Sequence, residues 1–366
     1  NALGFDAMTL GNHEFNFSNA VFTSVLEQAD FAILGAVVSD DGAYGLADVP
    51  VEPSIQRAVP GPIGDIDLAI VGIDNHRIPQ YELPSNIPGL TFANPIDKAA
   101  ELVPALAAAS DAVIALTHIG FTTIAGSLEV DNNVDTYLAA NVSDIDVVIG
   151  GHSHTDPSKQ TTYSGPYKYL PAVIGAPDGD PVLVTQAYRY NNYLGQVVLG
   201  FVPSKDQSGY ELVSRAGRYI AVTSSTPEDT AIKAIVQPYA DMLAAYNSRV
   251  LGCTTAPIDA LQAYTQETNG ANLQADASVW ELADNGIQVD FHLSGAMSNR
   301  KVADPATPTE PYTLTVANML TLMPYENSLV AMDMNGPQLK SVLERSFRNY
   351  WYYKYAAPSY GGYSYY

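Results

Sequence analysis

The sequence predicts an α/β protein, because short apolar strands alternate with helices along its first 220 residues. Residues 66–73 and 111–116 are apolar runs of strand length, and the alanine-rich residues 95–109 between them have a helical pattern. A second helix, over 134–140, leads to a third strand at 147–149. Strands that alternate with helices in this way are typical of βαβ units, which build a largely parallel sheet.

Further elements are predicted before and after this alternation. Residues 7–10 form a strand near the start of the chain, and 182–185 and 196–201 are interpreted as a later pair of sheet strands. The polar residues 222–232 predict a hinge. Beyond it the pattern predicts helices at 229–247, 273–282, 316–322 and 336–350 and strands at 289–293 and 328–334.

Length and pattern together predict two domains. A chain of 366 residues fits two domains of about 150–200 residues each. We expect a first domain over 1–221, a linker with a long helix over 222–250, and a second domain over 251–366.

Composition excludes several classes of protein. The formal net charge is −22, from 17 basic and 39 acidic residues, and such a surface repels nucleic acid polymers and anionic lipid. A small phosphate ester can still bind where a metal reverses the field locally. The single cysteine, Cys253, excludes an internal disulfide and a metal site built from several thiolates. No apolar run reaches the ~18–20 residues that a transmembrane helix needs.

Three histidine-containing motifs each follow a predicted strand. They are Gly11-Asn12-His13-Glu14, Thr117-His118-Ile119-Gly120 and Gly150-Gly151-His152-Ser153-His154-Thr155. In open α/β sheets, ligands bind outside the carboxyl ends of the strands, so we expect the three motifs to lie along one edge of the sheet. Their glycines allow the backbone to approach a metal ion or a phosphate closely.

The donors in these motifs indicate a metal site. One histidine after a strand is usually structural, but four of the six histidines lie in these three clusters. Imidazole nitrogen and amide oxygen suit zinc, manganese or iron(II). Two such ions, about 3.5–4 Å apart, can clamp the attacking and leaving oxygens of a phosphoryl displacement.

In the order of these motifs the chain resembles the 5′-nucleotidase family of calcineurin-like metallophosphoesterases. The resemblance continues in the second half, where residues 267–277 and 323–330 are similar to segments of that family's C-terminal domain. Ala187, Leu194 and Gly195 resemble a strand pair of the family's first domain. The resemblance implies a four-layer α/β/β/α metallophosphoesterase domain followed by a smaller α/β C-terminal domain.

Carried over by position, the resemblance implies a role for each polar residue of the motifs. Asn12, His118 and His152 would bind one of two divalent metal ions, zinc or manganese, and His154 would bind the other. His13 would act as a catalytic residue beside the leaving group. A hydroxide activated by both ions would attack the phosphorus of a nucleotide.

Two departures from the family pattern affect these expectations. The family's Asp-x-His and Gly-Asp motifs, which supply the remaining ligands, do not occur before Asn12. Residues 1–4 have the pattern of a helix end closed by glycine, so we expect the missing ligands upstream; otherwise the protein is inactive. The second departure is Asn16, where many members carry an aspartate that orients the histidine. An amide accepts a hydrogen bond from His13 but stabilises a protonated imidazole less well.

The resemblance places the substrate-binding residues in the second domain. Tyr325 would stack on the nucleoside base, with Arg300 and Asn327 as further substrate contacts. A second aromatic of this kind is expected near residues 360–363.

The expected function is hydrolysis of nucleotide phosphate monoesters. The alternatives are a 2′,3′-cyclic phosphodiesterase with 3′-nucleotidase activity, a sugar-nucleotide hydrolase, or a non-catalytic surface protein that kept the fold. The expected partner is a small nucleotide, with no nucleic acid polymer and no transmembrane segment, and the oligomeric state stays open. Composition favours a secreted or cell-surface protein, with Asn141 as a glycosylation site.

Overall fold

The computed structural model describes residues 1–121, 134–158, 170–206, 208–295, 297–305, 310–325 and 327–351, apart from the side chain at position 349. The chain divides into two compact units, Asn1–Pro227 and Glu228–Tyr366, called unit 1 and unit 2 below. Both units contain helices and strands, and the predicted α/β class is confirmed.

Unit 1 contains thirteen strands and three helices in its described residues. The strands are β1 (Ala7–Thr9), β2 (Ala32–Leu34), β3 (Val38–Asp40), β4 (Val51–Glu52), β5 (Ser54–Gly61), β6 (Gly64–Ile73), β7 (Leu90–Phe92), β8 (Ala112–Thr117), β9 (Val147–Gly150), β10 (Ala172–Gly175), β11 (Pro181–Gln186), β12 (Tyr193–Pro203) and β13 (Tyr210–Ala221). The helices are α1 (Asn19–Leu26), α2 (Pro95–Ala107) and α3 (Asp135–Asn141).

The main sheet of unit 1 has six strands in the order β10-β11-β9-β8-β6-β5. Its four inner strands, β11, β9, β8 and β6, run parallel, and the two edge strands are antiparallel to their neighbours. A smaller parallel sheet has the order β1-β2-β4, while β3 pairs with β7 and β12 with β13. The carboxyl ends of β8 and β9 therefore meet at the same edge of the main sheet, as the sequence predicts.

The two faces of the main sheet pack against different layers. On β6, Val71 and Ile73 are fully buried in one cluster with Ala99 and Val103 of α2 and with Leu138 of α3. Alternate residues point to the other face, because side chains along a strand alternate between the two sides. There Ile66 and Leu68 line a cavity of about 430 Å³ together with Val197 and Leu199 of β12.

One expectation for unit 1 is corrected by the structure. Residues 182–185 and 196–201 do form strands, β11 and β12, but the two do not pair with each other. β11 lies between β9 and β10 in the main sheet, while β12 forms an antiparallel ribbon with β13. Residues 1–4 form a single turn closed by Gly4 in a left-handed conformation.

Unit 2 has four short strands and four helices in its described residues. The strands are β14 (Val250–Thr254), β15 (Ile258–Asp259), β16 (Lys301–Ala303) and β17 (Tyr312–Thr315), and the helices are α4 (Thr230–Asn247), α5 (Asn269–Asp284), α6 (Val316–Leu322) and α7 (Gly336–Trp351). β14 pairs with β17 and β15 with β16, both antiparallel. The small core contains Ile258, Ala260, Val302, Ala303 and Leu322.

The strands predicted at 289–293 and 328–334 are wrong. Neither segment is a strand in the structure, although both carry strand-forming apolar residues. The described residues supply no ladder partner for either segment, and Phe291, Val330 and Met332 are exposed. Because a strand is stabilised by cross-strand pairs, apolar alternation alone does not form one.

Candidate active site

Three side chains from three separate motifs meet at the end of the parallel strands. Asn12 follows β1, His118 follows β8 and His152 follows β9. The backbone N–H of His118 donates to the carbonyl of Ile73 at 2.9 Å, which fixes the start of the His118 segment against the end of β6. β8 and β9 are neighbours in the main sheet, and β1 of the smaller sheet contacts β8. The motifs that the sequence singles out are therefore brought together by the fold and not by proximity in the chain.

The amide oxygen of Asn12 lies within hydrogen-bonding distance of a ring nitrogen of each histidine. Asn12 Oδ1 is 3.2 Å from His118 Nε2 and 3.1 Å from His152 Nδ1, and the two imidazole centroids are 5.3 Å apart. Ligand atoms that bind one tetrahedral zinc ion at 2.0–2.1 Å are about 3.3 Å apart. The two measured edges are close to this spacing, so one amide oxygen and two ring nitrogens fit a single divalent cation.

Burial keeps both imidazoles in the uncharged form that binds a metal. Desolvation lowers the pKa of His118 to about 3, with smaller contributions from His152, His13 and His154. Desolvation also lowers the pKa of His152 to about 4, again helped by the nearby histidines. Asn12 is only 8% exposed. At neutral pH these residues therefore offer lone pairs without first losing a proton.

Two glycines make room for the ring of His118. A Cβ on Gly11 would lie 2.9 Å from both Cε1 and Nε2 of His118, and a Cβ on Gly151 would lie 3.1 Å from its Nδ1. These glycines belong to two different motifs, so the ring is bounded by both backbones. This close approach explains why the motifs contain glycine beside the ligand candidates.

The loop that carries His152 and His154 is held by Gln186, which the sequence analysis missed. Gln186 ends β11 and is 2% exposed. Its Nε2 donates to the carbonyl of Gly151 at 2.6 Å and to Ser153 Oγ at 3.0 Å, and its Oε1 accepts from the N–H of Thr155 at 2.5 Å. His152 and His154 both have positive φ angles, 69° and 49°. The buried carboxamide therefore stabilises a loop conformation that is uncommon for residues other than glycine.

A buried carboxyl group lies behind the same loop. Asp135 begins α3, is fully buried, and accepts a hydrogen bond from Thr117 Oγ1 at 2.7 Å. Burial raises its pKa to about 8. A Cβ on Gly150 would lie 2.2 Å from Asp135 Oδ2, so the carboxyl group packs against the residue that leads into the histidine loop. Asp74, at the end of β6, is also fully buried, and burial raises its pKa to about 7.

His154 lies apart from the other three candidate ligands. It is exposed, and its ring is 6.3 Å from the ring of Tyr190. Desolvation lowers its pKa, as do the charges of Arg189 and His13. Arg189 itself lies over the rings of Tyr188 and Tyr190, at 5.4 and 4.9 Å from their centroids.

His13 is held by Asn16 on the exposed side of the site. The ring nitrogen Nδ1 of His13 is 2.7 Å from Asn16 Oδ1, and Asn16 Nδ2 donates to Glu82 Oε1 at 2.5 Å. Glu82 comes from a distant loop, and the sequence analysis did not single it out. The described residues thus contain a hydrogen-bonded series of imidazole, amide and carboxylate.

The described donors do not make up a complete two-metal centre. Within the described ranges, no group of three or more His, Cys, Asp and Glu side chains is arranged to hold a metal ion. The cluster at Asn12 has only two side chains of these types, because its third donor is an amide. Among the residues that the structure describes, His154 likewise belongs to no group of three or more His, Cys, Asp and Glu side chains.

The predicted substrate contacts lie on the surface of unit 2. Tyr325 is 40% exposed, and Arg300 and Asn327 are exposed as well. Asn327 Nδ2 is 3.9 Å from the sulfur of Met297, and the Arg300 carbonyl accepts from the N–H of Ala260 at 3.0 Å. The aromatic expected near 360–363 lies outside the described residues.

Comparison with known proteins shows similarity to 5′-nucleotidases. Residues 249–366 match the family model of the 5′-nucleotidase C-terminal domain. The 5′-nucleotidase of Bos taurus is 30% identical to this chain over 361 residues, which cover 96% of the chain and 59% of that protein. The chain is thus similar to 5′-nucleotidases along nearly all of its length. The 5′-nucleotidase of Homo sapiens is 29% identical over 363 residues, with 96% of this chain and 59% of that protein covered.

Among solved structures, a 5′-nucleotidase precursor from Thermus thermophilus has the same fold as this chain. The TM-score is 0.66 at 24% identity, and the match covers 94% of this chain and 63% of the other. The chain spans about 59% of the length of the two curated relatives.

The similarity to 5′-nucleotidases implies divalent metal ions as cofactors. In the part of the chain that the structure describes, no helix is both long and apolar enough to cross a bilayer.

Proposed function

We propose that this protein is a member of the 5′-nucleotidase family and hydrolyses phosphate monoesters of nucleotides with two divalent metal ions, for which zinc or manganese suits the nitrogen and oxygen donors. One observation carries the proposal: Asn12 Oδ1 lies 3.2 and 3.1 Å from ring nitrogens of His118 and His152. Three donors that converge from separate loops, with both imidazoles kept neutral by burial, are the arrangement that a catalytic cation needs.

In this proposal Asn12, His118 and His152 hold one cation, and His154 contributes to the other. When bound, the cations would lower the pKa of a water molecule and polarise the phosphate ester. Gln186 and the glycines around His118 keep these donors in place. Donors held in position before the substrate arrives reduce the reorganisation that the reaction requires.

His13 has a different task because it is exposed and bonded through Nδ1 to Asn16. Its Nε2 is then the ring nitrogen that remains for the substrate. A neutral ring with its proton on Nδ1 accepts a hydrogen bond at Nε2, and a protonated ring donates one there. We assign His13 to the leaving oxygen, where it stabilises developing charge or supplies the departing proton.

Substrate binding is assigned to unit 2, where Tyr325 offers an exposed aromatic face to a base and Arg300 and Asn327 offer polar contacts. The net charge of −22 disfavours polymers of nucleotides, which agrees with a small substrate. We also propose that the protein acts outside the cell, and its recovery only from the cell interior would contradict this part.

Turnover of nucleotides by the purified full-length protein tests the proposal. Nucleoside monophosphates, 2′,3′-cyclic nucleotides and sugar nucleotides are compared with zinc, manganese or cobalt present, and the products are separated by chromatography, because opening a cyclic phosphate or cleaving a sugar nucleotide frees no inorganic phosphate. We expect the monophosphates to be the fastest substrates, and a higher kcat/KM on either other class would replace the proposed function with that alternative. No turnover of any substrate with any metal would favour the non-catalytic alternative.

Matched histidine variants test whether the cluster in unit 1 is responsible. His118→Ala removes one of the three converging donors, and we expect kcat/KM to fall at least about 100-fold. His292→Ala removes a half-buried histidine of unit 2 that has no part in the proposed site, and we expect a change of less than about twofold. Equal effects of the two substitutions would contradict the assignment.

A further inference from the structure

A loop far from His13 in the sequence packs against the turn that carries it. Residues 78–87, called the Glu82 loop below, are anchored at both ends, because Ile78 is fully buried and Ile87 is 8% exposed. Both side chains belong to the same buried cluster as Phe15, which lies in the short helical turn of His13. The loop and the turn therefore share one core, and their relative position is fixed by packing.

Two side chains of the Glu82 loop bind the same residue, Asn16. Glu82 Oε1 accepts from Asn16 Nδ2 at 2.5 Å, and Asn86 Nδ2 donates to the carbonyl oxygen of Asn16 at 3.1 Å. The first contact spans 66 residues of sequence and the second 70. Asn16 is thus held through both its side chain and its backbone by one loop.

The chemistry of these groups determines which way the amide of Asn16 points. An ionised carboxylate can only accept hydrogen bonds, so the NH₂ group of Asn16 must face Glu82. The amide oxygen then faces His13 Nδ1, at 2.7 Å. Since an amide oxygen can only accept, Nδ1 must carry the proton, and Nε2 is left to exchange a proton or a hydrogen bond with another group.

We infer that Glu82 is a positioning residue that selects the Nδ1–H tautomer of His13 through Asn16. An amide alone can present either its oxygen or its nitrogen to the ring, so Asn16 without Glu82 does not specify the tautomer. The carboxylate of Glu82 removes this ambiguity and also places negative charge at the far end of the series. The inference rests on the proposed function only where it concerns catalysis, since the tautomer is a property of the protein itself.

Three variants separate orientation from simple loss of a contact. Glu82→Gln keeps the size of the side chain but can donate as well as accept, which lets the Asn16 amide flip. Asn16→Asp places a carboxylate beside His13 but also brings it against Glu82. The double variant Asn16→Asp/Glu82→Gln restores a complete series, because a glutamine NH₂ can donate to an aspartate that accepts from His13. Glu27→Gln, which makes the same chemical change at an exposed glutamate of unit 1, is the control.

The first measurement is the ring tautomer of His13, from ¹⁵N chemical shifts of the histidine-labelled, metal-free full-length protein, with the signal assigned by His13→Gln. We expect Nδ1–H in the wild type, a mixture of tautomers in Glu82→Gln and Nδ1–H again in the double variant. An Nε2–H wild type, or a Glu82→Gln variant with an unchanged tautomer, overturns the inference.

The second measurement is turnover of nucleoside monophosphates with zinc. We expect Glu82→Gln to lower kcat about 10-fold with less than a twofold change in KM, and the double variant to recover to within about twofold of the wild type. Glu27→Gln should match the wild type. A double variant that is no better than Glu82→Gln contradicts the catalytic part. If the wild type hydrolyses no nucleotide, the proposed function fails, while the ring tautomer still decides the role of Glu82.

Discussion

Unit 1 and unit 2 contain similar kinds of elements but bury their apolar side chains to different extents. In unit 1 both α2 and α3 contribute fully buried residues to a core that includes the parallel strands. In unit 2 the 18-residue helix α4 has no buried residue, and Trp280 and Phe347 are 66% and 67% exposed. An apolar pattern in the sequence therefore gives a buried core only where another layer of secondary structure packs against it.

The same contrast separates the two groups of candidate functional residues. The converging donors of Asn12, His118 and His152 lie at strand ends of the well-packed unit, where core residues and Gln186 fix their positions. The candidate substrate contacts Tyr325 and Asn327 lie in a surface segment of the less-packed unit. Positions that demand a precise geometry are thus found where the burial is greatest.

The largest expected effect comes from deleting a core side chain of unit 1. Leu138 of α3 is fully buried, so Leu138→Ala leaves a cavity, and we expect a loss of about 2–5 kcal/mol in the free energy of unfolding. Leu343→Ala makes the same change in α7, where the side chain is 52% exposed, and should cost less than about 0.5 kcal/mol. Urea unfolding measures both values. A comparable loss for Leu343→Ala would show that α7 is covered in solution and would remove the contrast.

A pair of buried glutamines tests whether the contrast extends to the metal site. Gln186→Ala leaves the Gly151 carbonyl and the Thr155 N–H without their partner, and we expect zinc affinity to fall about 10- to 100-fold. Gln274 in unit 2 is also buried and donates to Ser294 Oγ and to the Gly295 carbonyl.

For this second glutamine, Gln274→Ala should lower stability but leave zinc affinity unchanged, because its contacts lie within unit 2. Calorimetric zinc titrations of both variants provide the measurement. Loss of zinc affinity in the Gln274→Ala variant would contradict a cation site at Asn12, His118 and His152.

Glycine substitutions compare the space around one backbone position in each unit. Alanine at Gly11 would put its Cβ 2.9 Å from His118 Nε2, so the ring must move, and we expect about 1–3 kcal/mol of destabilisation together with weaker zinc binding. Gly252 in β14 has nothing within 4 Å of an added Cβ, and Gly252→Ala should leave thermal stability unchanged or slightly raised. Thermal melts with and without zinc check both expectations. An unchanged zinc affinity in the Gly11→Ala variant would contradict the assigned place of His118.

The last expected effect, which is spread over several pH units, is a pH dependence that originates in unit 1. Burial raises the pKa of Asp135 to about 8 from an unfolded value of 3.8, so the folded protein binds more protons between these limits. Its contribution to stability is complete below about pH 3.8 and is lost as the pH rises through 8, by at most about 1.4 kcal/mol per pH unit.

Thermal melts of the Asp135→Asn variant between pH 5 and 9 test this assignment. The melting temperature of this variant should depend less on pH than that of the wild type. Asp284→Asn, at an exposed residue of unit 2, is the control and should keep the wild-type dependence. A wild-type slope retained in full by Asp135→Asn would exclude this carboxyl group as its source.

Sequence reasoning succeeded where the pattern repeats over many residues. The parallel strands β6, β8 and β9 and the helix α2 follow from apolar runs and alanine-rich periodicity. Of the three polar motifs, those after β8 and β9 meet at one edge of the main sheet as expected, whereas the first follows β1 of the smaller sheet. Each of these features is local, and the rule that assembles them is general.

The parts of the fold and of the candidate site that were not predicted depend on contacts that no local sequence pattern encodes. Gln186 reaches Thr155 across 31 residues, and Glu82 reaches Asn16 across 66. Residues 289–293 have the composition of a strand but no partner in the described structure. Such contacts are decided by which segments pack together, which a single sequence does not reveal. The roles assigned to the site residues and the domain boundaries stay predictions until the variants are measured.

The burial of His118 and His152 has a consequence for the conditions in which the protein can hold a cation. An exposed histidine, with a pKa near 6.5, is mostly protonated at pH 5, and protons then displace metal from it. With pKa values of about 3 and 4, these two rings stay unprotonated at that acidity. Protons therefore compete for this pair only in much stronger acid, and metal retention should persist in mildly acidic surroundings that strip an ordinary histidine site.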